Sequence, residues 1–208
     1  MITIYGRSSS INVQKAVWTA AELGLEVGRV DADGTIGSID TPDYRKLNPF
    51  ALVPTLAEDG LVLGQSLAIV RYLAGKYGLG TLLPADPGAA ARADAWMEWG
   101  NSDFWVMQLR AIYWNYARTP EENRDMNLVN ANWEQCAGQL RIFEAELADR
   151  PFVMGDRLTI ADIPAGCAIS RYFRTPRDDF PDIPNIRAWY ARLRDRPAYA
   201  ELVDAQPY

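Results

Sequence analysis

Leu47-Asn48-Pro49-Phe50-Ala51-Leu52-Val53-Pro54-Thr55-Leu56, followed after a short gap by Gly64-Gln65-Ser66-Leu67-Ala68-Ile69-Val70-Arg71-Tyr72-Leu73, constrains the fold more than any other stretch of this chain. Between the two halves, Glu58-Asp59-Gly60 splits a pair of short apolar runs, Thr55–Ala57 and Leu61–Leu63. That pattern predicts a tight hairpin, because glycine accepts the positive φ such turns demand. Pro54 stands at the mouth of the first strand, where it removes a ladder hydrogen bond. A proline is tolerated there if it opens the strand or takes the cis form in a tight turn. Ser66 is the expected N-cap of a helix whose apolar stripe is Ala68, Ile69, Tyr72 and Leu73. The unit therefore offers an extended backbone at Val53 beside an anion-favouring helix start at Gln65-Ser66. A peptide with a free α-carboxylate could use both. A strand, turn and helix that only fill a core would show the same pattern.

The rest of the chain supplies partners for this unit. Ile2-Thr3-Ile4-Tyr5 alternates as a strand, and Gly6 to Asn12 is a polar turn. Val13, Ala16, Val17, Ala20 and Leu23 then recur at helical spacing, stopped by Gly24. Glu26–Asp31 predicts a second strand, giving a crossover that is right-handed by default. The segment 32–46 is turn-rich, with a short helical turn around Tyr44. Residues 1–78 thus form an α/β domain, 78–88 a Gly/Pro-punctuated linker, and 89–208 an all-α domain. In the latter, 89–117 and 121–147 read as helices, Thr159-Ile160-Ala161-Asp162 as a capping box, and Ile186–Leu193 as an amphipathic helix.

Composition narrows the function. A chain of 208 residues with net charge -6 is an unpromising partner for nucleic acid or an anionic membrane. No apolar run reaches the ~18 residues of a membrane span, and no signal-peptide pattern precedes Ile2, so the cytoplasm is the expected location. Cys136 and Cys167 lie far apart, without a CxxC pattern. Histidine is absent, which excludes His-based triads and His-ligated metal; no metal is expected.

Val53-Pro54-Thr55-Leu56, Gln65-Ser66 and the helix after them resemble the glutathione-binding half of cytosolic glutathione transferases. The capping box and the segment from Pro184 to Pro197 resemble that family's helical domain. The resemblance implies a thioredoxin-like N-terminal domain followed by a helical bundle, glutathione as co-substrate, an apolar electrophile, and a homodimer. It also implies roles. Leu52, Val53 and Pro54 would face the peptide, with Val53 pairing its backbone to the cysteinyl residue. Gln65 and Ser66 would hold the γ-glutamyl end, with Asp103 of the partner subunit supplying charge for its ammonium. Phe50-Ala51-Leu52 is apolar where relatives often carry a basic or polar residue, which leaves Lys46 or water for the glycyl carboxylate. Tyr113 and Trp114 are the candidates for the electrophile pocket.

The chemistry needs a thiolate. A free thiol has a pKa of ~8.5, and lowering it by ~2 units takes ~2.7 kcal/mol of preference for the charged form. A hydroxyl or amide donor at a helix start supplies energy of that order. In the family's bacterial serine/asparagine-type members this turn supplies the donor, which implies Ser10 as the catalytic hydroxyl and Asn12 as an amide donor. Ser8, Ser9 and Ser10 would serve equally as caps of the helix that follows. Tyr5 is the weaker alternative, since it sits within the strand run. A disulfide reductase using the same thiolate, or a binding module without catalysis, would fit the same residues.

Overall fold

The computed structural model describes residues 1–32 and 38–206. Its first elements are β1 (Ile2–Tyr5), α1 (Ile11–Glu22), β2 (Val27–Val30), α2 (Pro42–Leu47), β3 (Thr55–Glu58), β4 (Leu61–Gly64) and α3 (Ser66–Tyr77). Part of the turn-rich 32–46 stretch lies outside the described residues. The strands make one four-stranded sheet in the order β2-β1-β3-β4. β1 is parallel to β2 and antiparallel to β3, and β3 is antiparallel to β4. The long connection through α1 permits the parallel pair, whereas two residues suffice between β3 and β4. Those residues, Asp59 and Gly60, have φ of 47° and 87°, the primed turn that matches strand twist.

Alternation decides which face of the sheet is covered. Ile2 and Ile4 point one way, and Ile4 pairs with Leu56 in the β1–β3 register, so all three share a face. α1 lays Val13, Ala16, Val17 and Ala20 on that core, and α3 adds Ile69 and Leu73. Burying each large aliphatic side chain contributes about 1.5–3 kcal/mol. At the hairpin end, the buried carboxylate of Glu58 accepts from Tyr72 Oη at 2.6 Å and from Tyr77 Oη, and pairs with Lys76 Nζ at 2.9 Å. Burial acts to raise this carboxyl, but the three donors outweigh it and hold its pKa down to about 2. The end of α3 is thereby pinned to β3.

Both helix starts differ from the sequence reading. α1 begins at Ile11, with Ser10 at the N-cap position and Asn12 inside the first turn. α3 begins at Ser66, so Ser66 is not its cap. Gln65 occupies that position at φ 68°, without a capping bond from its side chain. The left-handed turn at Gln65 reverses the chain straight out of β4, and the Ser66 hydroxyl is spent elsewhere.

The chain divides into two units: Met1–Asp86 together with the stretch from Pro197, and Pro87–Arg196. The C-terminal stretch therefore departs from the expected 89–208 helical domain. Tyr199, on the short helix α9 (Pro197–Tyr199), is fully buried with its ring edge-on to Trp18, centroids 4.8 Å apart. Leu202 packs on the sheet core beyond it. An amphipathic pattern says that such a segment is covered, and does not say by which unit.

The second unit contains α4 (Pro87–Glu98), a π-helical stretch (Trp99–Leu109), α5 (Arg110–Ala117), α6 (Met126–Glu146), α7 (Asp162–Phe173) and α8 (Pro184–Arg194). The expected 89–117 helix is thus continuous, but widened in its middle. Gly100 lies in that widened part. A Cβ there would come within 2.8 Å of Ala165 N, so glycine is what lets α7 approach. The capping box works through its acid. Asp162 Oδ2 accepts from Thr159 N at 2.9 Å and Thr159 Oγ1 at 3.3 Å, while Oδ1 accepts from Val153 N at 3.0 Å and Trp189 Nε1 at 2.9 Å. Burial raises the Asp162 carboxyl and the four donors oppose it. Among the described residues, no helix is long and apolar enough to cross a membrane.

Candidate functional site

The first unit brings the ends of β1 and β4 and the starts of α1 and α3 to one place. Ser66 Oγ donates to Asn12 Oδ1 at 3.4 Å, across 54 positions of sequence. Helical bonding begins with Gln14 N on Ser10 O at 2.9 Å in α1 and with Ile69 N on Gln65 O at 3.0 Å in α3. The N–H groups ahead of those bonds are left for another acceptor. Neither first turn carries an acidic residue, so two positive helix ends meet beside each other. That arrangement favours an anion. The Ser10 hydroxyl makes no capping bond to α1.

The Val53 loop is braced from below. Asn48 Nδ2 donates to Leu52 O at 2.9 Å and to Thr55 Oγ1 at 2.8 Å, and Tyr44 Oη donates to Leu52 O at 3.0 Å. Asn48 Oδ1 takes Phe50 N at 3.1 Å. These bonds hold the turn through Ala51, whose φ is 49°, into the cis Val53–Pro54 peptide. The Leu52 carbonyl is committed to this network, so Leu52 offers a ligand its N–H and its exposed side chain. Val53 is different: among the described residues, nothing in the chain takes its N–H or C=O. A free strand-like donor and acceptor pair is what an added peptide strand uses. Gly6, at φ 137°, lies against this loop, since a Cβ there would sit 2.5 Å from Val13 Cγ2 and 3.0 Å from Val53 Cβ. Glycine thus lets Val53 close onto the start of α1.

Ser10, Asn12, Val53, Pro54, Gln65 and Ser66 belong to this first unit, with Gln65 exposed and Ser66 buried. Tyr5 packs edge-on against Tyr44, with centroids 6.5 Å apart. Lys46 is an exposed partner of Asp43 at 2.8 Å. Asp103, Tyr113 and Trp114 belong to the second unit. Asp103 is exposed on the π-helical stretch. Tyr113 is buried, with the Arg171 guanidinium 4.5 Å above its ring. Trp114 is half exposed, beneath Arg110, and of this pair it alone presents surface to a ligand. A separate cleft of about 390 Å³ on this unit is lined by Trp96, Trp99, Arg92 and Arg150. Among the described residues there is no group of three or more Asp, Glu or Cys that could hold a metal.

Sequence reasoning missed the Tyr44–Asn48–Thr55 brace and missed Lys15. The brace joins residues several positions apart through a loop shape that no periodicity reports. Lys15 had a readable signal, being three residues after Asn12 on one helix face.

Comparison with known proteins agrees with this architecture. Residues 1–75 match the glutathione S-transferase N-terminal domain, and residues 106–197 match its C-terminal domain. Glutathione S-transferase GstB of Escherichia coli is 36% identical over 98% of each chain. A crystal structure of a theta class glutathione S-transferase from Xanthomonas axonopodis pv. citri, with glutathione bound, superposes with a TM-score of 0.90. It is 44% identical, covering 97% of this chain and 96% of that one. Maize glutathione S-transferase I, in complex with an atrazine glutathione conjugate, gives a TM-score of 0.87 at 27% identity, covering 97% and 96% of the two chains. The chain belongs to the glutathione S-transferase family.

Proposed function

We propose that this chain binds glutathione at the junction of α1, α3 and the Val53 loop, holds its sulfur as a thiolate, and transfers it to an apolar electrophile. The observation that carries the reading is the Asn12–Ser66 contact, which sets two acid-free helix starts side by side next to the unpaired backbone of Val53. The thiol proton leaves to solvent, and the sulfur forms a bond to the electrophilic carbon. The leaving group departs with its bonding pair, or the electrons move onto an activated double bond. Val53 pairs with the cysteinyl residue, and Gln65, Ser66 and the first turn of α3 take the γ-glutamyl carboxylate. Ser10 and Asn12 donate to the sulfur: the hydroxyl of one is not used as a cap, and the other projects from the first turn of α1. Trp114 contributes apolar surface for the electrophile. The cytoplasm fits a protein in which neither Cys136 nor Cys167 forms a disulfide.

Parallel assays test this: an electrophile panel and a disulfide substrate, each with glutathione, on wild type, Ser10→Ala and Asn12→Ala. Conjugation should dominate. Losing one charge-assisted bond, worth about 1.5–3 kcal/mol, should raise the bound thiol's pKa by roughly one to two units. Binding of S-methylglutathione should be nearly unchanged, because its sulfur carries no charge. Disulfide reduction without conjugation would favour the reductase reading. Glutathione retention without either reaction would favour a binding module.

The reading includes a homodimer in which Asp103 of the partner subunit faces the γ-glutamyl ammonium, balancing the neutral Gln65. Exposed Phe50, Leu52, Val62 and Met107 are surface that a second copy would cover. Sedimentation at micromolar concentration should give twice the chain mass. A monomer there would remove Asp103 from the site.

A further inference from the structure

Lys15 is completely buried on α1, yet no step described so far uses it. An ammonium in a protein interior persists only where acceptors surround it. One of its bonds goes to Asn12 Oδ1, at 3.0 Å. The Ser66 hydroxyl reaches the same oxygen at 3.4 Å. An ammonium can only donate, so an inverted Asn12 amide would set N–H against N–H. Two donors on one oxygen therefore lock the amide with Oδ1 toward Lys15 and Ser66 and Nδ2 away from them. Asn12 Nδ2 makes no hydrogen bond among the described residues. Its two N–H groups stand free within the first turn of α1. An amide whose oxygen accepts from a cation is also a stronger donor at its nitrogen.

We infer that Lys15 is a positioning residue that, with Ser66, fixes and polarises the Asn12 amide so that its NH₂ group donates to the thiolate of bound glutathione. The inference rests on the transferase reading and goes beyond it by assigning the donor's orientation to a buried cation. Ser66 then has two duties, its N–H at the carboxylate end of the site and its hydroxyl, whose one proton goes to Asn12 Oδ1, at the sulfur end.

The test is ultraviolet titration of the thiolate band of bound glutathione, with S-methylglutathione affinity and melting temperature measured alongside. Lys15→Met should raise the bound thiol's pKa by about one unit and lower kcat/KM about tenfold at a pH below that pKa. Affinity for S-methylglutathione should stay within about threefold. Lys15→Arg, which keeps a donor, should recover most of the shift. In an Asn12→Ala background, Lys15→Met should add nothing, because its effect passes through the amide. Asn12→Asp keeps an acceptor for Lys15 but removes the N–H groups, and should raise the thiol pKa by more than one unit. A natively melting Lys15→Met protein with an unmoved titration overturns the inference. So does an additive double variant, which would mean that the ammonium acts on the sulfur directly. Should Lys15→Met fail to fold, Asn12→Asp decides, and an unshifted thiol there overturns the role of the amide. Wild type that binds no glutathione defeats the transferase reading and this inference together, whereas the outcomes above defeat the inference alone.

Discussion

Asp162→Ala should unfold with a loss of about 3–5 kcal/mol, because it removes a buried acceptor and leaves its donors in place. Val153 N, Thr159 N, Thr159 Oγ1 and Trp189 Nε1 all converge on this carboxylate. Each orphaned buried donor costs about 1–3 kcal/mol, and the sum is less than additive because neighbours relax together. For a chain of this length that corresponds to a fall in Tm of roughly 10 °C. Asp162→Asn should lose less, since one oxygen remains while the new NH₂ faces existing donors. Thermal and urea unfolding of the three proteins decide the matter. An alanine variant within about 1 kcal/mol of wild type would mean that the box contributes little to holding α7 and α8.

Gly6→Ala should damage both stability and glutathione affinity. Its φ of 137° is a backbone region that alanine rarely adopts, and the added Cβ would meet Val13 Cγ2 at 2.5 Å and Val53 Cβ at 3.0 Å. Strain and overpacking each cost about 1–3 kcal/mol. Relief would come by pushing Val53 outward, so glutathione affinity should fall at least about tenfold. Gly24→Ala is the control: its φ is 67°, but nothing lies within 4 Å of the new methyl. That variant should lose some stability and leave glutathione affinity unchanged. Equal affinity losses in both variants, measured by calorimetry, would show that Gly6 acts through general destabilisation and not through Val53.

How far the sequence reaches can be judged residue by residue. The β3–β4 hairpin was legible because Asp59-Gly60 is a local turn signal between two apolar runs. That Ile2 and Ile4 share one face follows from simple alternation. Both depend on nearest neighbours and on period two. The start of α3 was misread by one residue, because Ser66 has the chemistry of a cap while its hydroxyl reaches Asn12, 54 positions away. Tyr199 was assigned to the wrong unit for a similar reason: an aromatic in a short helix shows burial, and only the fold shows that Trp18 receives it. The π-helical widening at Trp99–Leu109 leaves no periodic mark strong enough to separate it from α-helix. Aromatic content alone singles out Tyr113, and the Arg171 guanidinium that covers its ring, 58 positions on, leaves no local mark. The candidate site residues on the first unit rest largely on family resemblance. Their spatial convergence was not legible, since it is made by the ends of four separate elements.

The claim on which the rest depends is that the α1–α3 junction lowers the thiol pKa of glutathione. Titration of the thiolate absorbance in the wild-type complex, against free glutathione under the same conditions, tests it directly. The expected midpoint lies about two units below the free thiol's ~8.5, with saturation that follows glutathione occupancy. A bound thiol that titrates with the free one, at concentrations where binding is shown to be complete, would contradict the account.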